Sequence, residues 1–175
     1  MRWFIGDLHG CREELEELLE KIFQEDRRPE LFCTGDAIGK GPDPAGTLRL
    51  ISSEKIAAIR GNHEDQLIRM ADEPLEKLLS RSKAVLKGLE SDLSHYLEQI
   101  SGWPLYRELD GVDLVHAGLQ PGVSQLSEMD PRILLTIRTW DGEGKLLWSA
   151  DDPPWFQLVQ WPKKVVFGHW AYQMP

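Results

Sequence analysis

Five short apolar runs in this chain each stop at a side chain able to bind a metal or handle a proton. Trp3-Phe4-Ile5 stops at Gly6-Asp7-Leu8-His9-Gly10, and Leu31-Phe32-Cys33 stops at Gly35-Asp36. The stretch up to Ile59 stops at Arg60-Gly61-Asn62-His63, Val115 is followed by His116-Ala117-Gly118, and Val165-Val166-Phe167 runs into Gly168-His169. Of the chain's five histidines, only His95 lies away from such an end. Short apolar runs bounded by turn residues read as buried strands. In open α/β sheets, ligands gather just beyond the carboxyl ends of the strands. A chain patterned this way is expected to bring these side chains to one polar basin.

The remaining pattern supplies the helices. Residues 2–5, 31–34, 55–59, 111–115 and 164–167 are predicted as strands. Residues 11–24 are predicted as a helix with Leu15, Leu18, Leu19, Ile22 and Phe23 on one face, and Glu13, Glu14, Glu16, Glu17 and Glu20 on the wet side. Residues 44–53 form a second helix with Leu48 and Ile51 inward. From 64 to about 100 the chain is mostly helical and charged, broken at Pro74 and Gly88. Strands alternating with helices indicate an α/β fold. With 175 residues and no repeat or linker, a single domain over 1–175 is expected, with a helical cap-like insertion at about 65–100.

Charge and composition remove several function classes. The formal net charge is −9, the wrong sign for displacing counterions from a nucleic acid, so no stable nucleic-acid partner is expected. An anionic substrate would need a local source of positive charge, and bound cations would supply it. No apolar run approaches the roughly 20 residues that cross a bilayer, and the apolar start is too short for a secretory signal. A cytoplasmic protein without a membrane partner is expected. Cys11 and Cys33 make neither a disulfide framework nor a zinc-finger pattern, and read as reduced thiols.

The donors at the strand ends are carboxylates, imidazoles and one amide, with no thiolate. They suit an open site for Mn²⁺, Fe, Co²⁺, Ni²⁺ or Zn²⁺, of which Mn²⁺ is the expected ion. There are more donors than one ion uses, and a carboxylate can bridge two.

In this order, Gly6-Asp7-Leu8-His9-Gly10, Gly35-Asp36, Gly61-Asn62-His63-Glu64, His116-Ala117-Gly118 and Gly168-His169 resemble the motifs of the calcineurin-like metallophosphoesterases. The likeness is to the branch holding the phosphoprotein phosphatases and the symmetrical diadenosine tetraphosphatases. Gly39-Lys40-Gly41-Pro42, Pro154-Trp155-Phe156 and Val166-Phe167-Gly168-His169-Trp170-Ala171 are similar to the tetraphosphatase side. Arg60-Gly61-Asn62-His63-Glu64 and Leu146-Leu147-Trp148-Ser149 lean toward the Ser/Thr phosphatases.

The resemblance implies a two-layer β-sandwich flanked by helices. It implies that Asp7, His9 and Asp36 hold one divalent metal ion and that Asp36, Asn62, His116 and His169 hold a second. His63 would be the general acid, and a hydroxide bridging the metals would attack phosphorus. Lys40, Arg60 and Arg138 would bind substrate phosphate, although Arg138 is equally readable as a surface residue. The implied substrate is a dinucleoside polyphosphate such as diadenosine tetraphosphate; a phosphoprotein is the alternative. A binding module that keeps the fold without catalysis is a third reading.

Two departures from the family pattern stand out. Gly39 occupies the place of a carboxylate that would orient His63, and Lys40 that of an arginine that would fork onto phosphate. The resemblance also implies further strands after Gly168-His169, whereas this sequence ends at Pro175. Five of the seven tryptophans fall between Trp140 and Trp170; they read mostly as packing, or, for one of them, as a surface on which an adenine could stack.

Overall fold

Two strands with large apolar side chains and a short third one of two alanines open the fold. In the computed structural model, which describes residues 1–71 and 88–171, β1 (Arg2–Ile5), β2 (Glu30–Cys33) and β3 (Ala57–Ala58) form a parallel sheet in the order β1-β2-β3. The register sets Ile5 beside Cys33 and Cys33 beside Ala58. All three strands therefore end in line, and the segments carrying Asp7, Asp36 and Asn62 leave the same rim. Parallel strands need crossovers, and α1 (Arg12–Glu25) and α2 (Pro44–Ser53) supply them. The start of α2 is fixed by Asp43, whose carboxylate accepts from Gly46 N at 2.7 Å, with proline at the first helical position.

These elements, with α3 (Asn62–Met70) and α4 (Leu93–Ser101), make one compact unit over Met1–Pro104. Its core joins Ile5, Leu31 and Cys33 of the sheet to Leu15, Leu19 and Ile22 of α1, Leu48 and Ile51 of α2, Leu67 of α3, and Tyr96 and Ile100 of α4. Each fully buried leucine or isoleucine is worth about 1.5–3 kcal/mol of transfer free energy. The buried stripe of α1 is narrower than predicted. Leu15, Leu19 and Ile22 are buried, whereas Leu18 and Phe23 stand at its margins, 39% and 41% exposed. The third strand is also shorter than predicted, because Lys55 takes a left-handed turn (φ 54°) that closes α2. Of the expected cap-like insertion at about 65–100, residues 72–87 lie outside the described residues. Its flanks, α3 and α4, belong to the core of this unit through Leu67, Tyr96 and Ile100.

The second unit spans Leu105–Pro175. Here β4 (Tyr106–Leu109) and β5 (Val112–Val115) form an antiparallel hairpin, and β6 (Lys164–Val166) adds parallel to β5. The short helix α5 (Pro131–Thr136) begins at Asp130, whose carboxylate accepts from Arg132 N at 2.8 Å. Neither β4 nor α5 was anticipated from the sequence, since Tyr-Arg-Glu-Leu and Pro-Arg-Ile-Leu-Leu-Thr are too short for a clear period. The core gathers Val115, Leu119, Leu126, Ile133, Leu134, Ile137 and Trp155. Buried Asp113 on β5 accepts from Trp161 Nε1 at 2.7 Å and Lys163 Nζ at 2.9 Å, clasping the segment that leads into β6. Among the described residues, no helix is long and apolar enough to cross a membrane.

Candidate metal centre

At the carboxyl rim of the first sheet, Asp36 follows β2 in a left-handed conformation, φ 50°, and is 2% exposed. Its Oδ1 accepts from the backbone N–H of His63 at 3.0 Å, and the N–H of Asn62 also bonds this carboxylate. Both donors belong to the first turn of α3, where free N–H groups and the helix dipole favour negative charge. Burial pushes the Asp36 carboxyl up to about 7, against the pull of the His63 N–H; the nearby charge of Asp7 adds to the rise and that of Lys40 opposes it. A carboxylate so buried gains most from a cation. The approach of α3 requires glycine at 61, where a Cβ would lie 2.3 Å from Asp36 Oδ1.

Two loops are stitched around it. Glu64, fully buried, accepts from Asp36 N and Gly61 N at Oε2, each 2.9 Å, and from Ile38 N at Oε1, 3.1 Å. In the sequence, Glu64 stands at the end of the Arg60-Gly61-Asn62-His63-Glu64 motif with no role of its own. The available signal was its place three residues after the helix start, where a carboxylate can turn back onto the capping N–H. Thr34, also missed, donates from Oγ1 to Asp7 Oδ1 at 3.2 Å and is 2% exposed.

His9 also takes a left-handed backbone, φ 49°. Its N–H and that of Leu8 donate to the Asp36 carbonyl at 2.7 and 3.0 Å. Nδ1 lies 3.2 Å from the Ile38 carbonyl oxygen. That oxygen can only accept, so Nδ1 carries the proton and Nε2 keeps the lone pair a metal needs. His9 Nε2 is 3.9 Å and His63 Nε2 3.8 Å from Asp36 Oδ2, and ligand atoms of His9, Asp36 and His63 all lie within 4.8 Å of one another. Lys40 Nζ stands 3.3 Å from His9 Nε2. At Gly39, φ 125°, a Cβ would fall 2.8 Å from His63 Nδ1, so the Gly39 backbone lies close beside the His63 ring.

Arg60 is held differently from these. Its Nη2 donates to the carbonyls of Ser101 and Trp103 at 3.2 and 3.3 Å, and its Nη1 lies 3.7 Å from Asp65 Oδ1. This arginine ties the exit of β3 to the segment after α4.

The second unit carries two imidazoles at its own strand ends. His116, fully buried, follows β5, and His169 follows β6 with φ 60°. The pairing of Leu114 with Val166 aligns the two strand ends, Gly168 N donates to the His116 carbonyl at 2.8 Å, and the rings lie 5.1 Å apart at 64°. Arg138 lies in this unit too, its Cζ 5.3 Å from the centroid of the Trp148 ring. Of the expected ligands, His9, Asp36 and His169 all hold positive φ. Such backbone costs on the order of 1–3 kcal/mol each and persists only where the surroundings over-determine it. The donor chemistry is imidazole and carboxylate, and the carboxylate of Asp36 is buried. It fits hard-to-borderline divalent cations.

Residues 2–172 match the calcineurin-like phosphoesterase family. The chain is 34% identical over 128 residues to the symmetrical bis(5'-nucleosyl)-tetraphosphatase of Shewanella sp. (strain W3-18-1), covering 68% of this chain and 44% of that protein. Against the enzyme of the same name from Vibrio campbellii the identity is 30% over 121 residues, covering 68% and 45%. The chain thus spans less than half the length of these relatives. A crystal structure provisionally named a diadenosine tetraphosphatase superposes with a TM-score of 0.79 at 26% identity, over 96% of this chain and 74% of that one. A metallophosphoesterase from Sphaerobacter thermophilus shares the fold at TM-score 0.53 and 22% identity, over 66% and 46%. Strand ends furnished with Asp, Asn and His, a sheet and helices in this order, and a match along nearly the whole sequence lead to one conclusion: the chain belongs to the calcineurin-like phosphoesterase family.

Proposed function

We propose that the chain hydrolyses dinucleoside polyphosphates such as diadenosine tetraphosphate with the help of two divalent metal ions, Mn²⁺ foremost. The observation that carries the reading is the meeting of His9, Asp36 and His63, with ligand atoms within 4.8 Å of one another, around a buried carboxylate. The tetraphosphatase names of the relatives support the substrate class. Asp7, His9 and Asp36 would hold one ion; Asp36, Asn62, His116 and His169 would hold the other. When bound, such a pair supplies Lewis-acid activation of water and charge neutralisation on the phosphoryl group.

The protein's own groups have distinct tasks in this reading. Asp36, fixed by the start of α3 and by Glu64, orients what it ligates. His63 donates a proton to the leaving oxygen, an effect worth about 10²–10⁴ in rate. Lys40 reaches beside His9 and would meet a phosphoryl oxygen as a point charge. Arg138 would take a second phosphate, while Arg60 serves chiefly as an anchor through Ser101 and Trp103. A net charge of −9 argues against a nucleic-acid partner, and the free Cys11 and Cys33 accord with a cytoplasmic setting.

The test is a side-by-side assay with Mn²⁺ on diadenosine tetraphosphate, a phosphoserine peptide and p-nitrophenyl phosphate. Turnover of the dinucleotide far above the peptide is expected. The reverse order would make the chain a protein phosphatase, and no turnover of any of them would make it a binding module.

A further inference from the structure

Of the chain's seven tryptophans, Trp148 alone is exposed, at 55%. An indole left in water is ordinarily a mobile surface group, yet this one sits in a segment hydrogen-bonded on both sides and its ring has two partners. The carbonyl of its neighbour Leu147 accepts from Arg138 N at 2.8 Å and Thr139 N at 3.2 Å. On its other flank, Ser149 N donates to Thr139 Oγ1 at 2.8 Å. The loop leading into it is wound around Asp141, whose carboxylate accepts from Glu143 N, Gly144 N, Lys145 N and Leu146 N at 2.6–3.1 Å. The ring meets Trp170 in an edge contact, 5.6 Å between centroids at 74°, and carries the Arg138 guanidinium, with Cζ 5.3 Å from its centroid. Trp170 directly follows His169.

An ordered, flat, exposed aromatic joined to a guanidinium suits a ligand that is both aromatic and anionic. An aliphatic ligand would gain nothing from the guanidinium, and a cationic one would be repelled by it. Within the same unit, this surface is one residue along the chain from an expected metal ligand. We propose that Trp148, braced by Trp170 and Arg138, is the platform on which a nucleobase of the substrate stacks. The inference rests on the dinucleoside polyphosphate reading above and names the group that selects a nucleotide from other phosphate compounds.

The test measures binding, so that it does not depend on turnover. ADP and inorganic diphosphate are titrated separately into the full chain at saturating Mn²⁺, with Trp148→Ala and Trp148→Phe alongside the natural protein. Base–aromatic stacking removed by alanine weakens binding by about 5- to 150-fold. That loss is expected for ADP with Trp148→Ala, a much smaller one for inorganic diphosphate, and recovery to within about threefold by Trp148→Phe. Equal losses for the two ligands, or no loss for ADP, overturn the proposal. So does a greater loss for a phosphoserine peptide with a neighbouring tyrosine than for ADP, which would make the ring a peptide contact. If ADP binding depends on Trp148 while diadenosine tetraphosphate is not hydrolysed, the platform stands and the assigned reaction falls.

Discussion

Asp36 and His63 sit so tightly against backbone that glycine is required opposite each. Gly61→Ala would drive a methyl group to within 2.3 Å of Asp36 Oδ1. It is expected to lose Mn²⁺ affinity by at least tenfold, read by calorimetry, before any change in helix content. His63→Asn tests proton donation separately from metal binding. Hydrolysis of an alkyl phosphate should fall about 10²–10⁴-fold, and that of p-nitrophenyl phosphate far less, since its leaving group scarcely needs a proton. Equal losses on both substrates would exclude the general-acid role. Asp36 also makes a pH prediction. Its carboxyl titrates at the ordinary 3.8 when unfolded and at about 7 in the folded, metal-free protein, because burial disfavours the charge. Between those values the native state binds more protons than the unfolded chain, so stability falls as pH rises through the window. His9 and His63, Asp7 and Lys40 face the same carboxyl and shape the same curve. The melting temperature of metal-free natural protein relative to Asp36→Asn should therefore drop from pH 4 to pH 7. A flat difference would refute the burial.

At the scale of elements, the link that matters is between the β2 exit loop and the start of α3. Glu64 makes it by accepting three backbone N–H groups from the interior. Glu64→Ala leaves these donors buried and unpaired, at about 1–3 kcal/mol each. An overall destabilisation of about 3 kcal/mol or more in urea is expected, with Mn²⁺ binding lost alongside. Glu64→Gln, which retains one acceptor oxygen, should recover part of both. In the second unit, the Asp113 clasp holds the approach to β6. Asp113→Ala should shift the Trp161 emission, because its indole N–H loses a 2.7 Å acceptor, without altering the helix signal.

For the molecule as a whole, a net charge of −9 and a buried carboxylate at the rim make cation binding a source of stability. Mn²⁺ at 100 times its Kd should stabilise the fold by about 2.7 kcal/mol, an upward shift of several degrees in Tm for a chain of this size. A chelator should reverse it, and, if the proposed pair of ions is held as described, His169→Ala should lower the number of ions bound per chain. Much of the fold was legible in the sequence alone, and so was the chemistry of the side chains at the strand ends. Strand exits at Asp7, Asp36, Asn62, His116 and His169, and the inward faces of α1 and α2, are written in short patterns of apolar and polar residues that each segment carries by itself. What β4, α5, the narrow stripe of α1 and the bracing by Thr34 and Glu64 required was partners distant along the chain. Whether Arg60 grips carbonyls or stays open, whether Gly39 leaves room beside His63, and which tryptophan remains in water are likewise matters of packing. A residue's chemistry is local and can be read in place; its neighbours, and hence its burial, its hydrogen-bond partners and its pKa, exist only once the chain has folded.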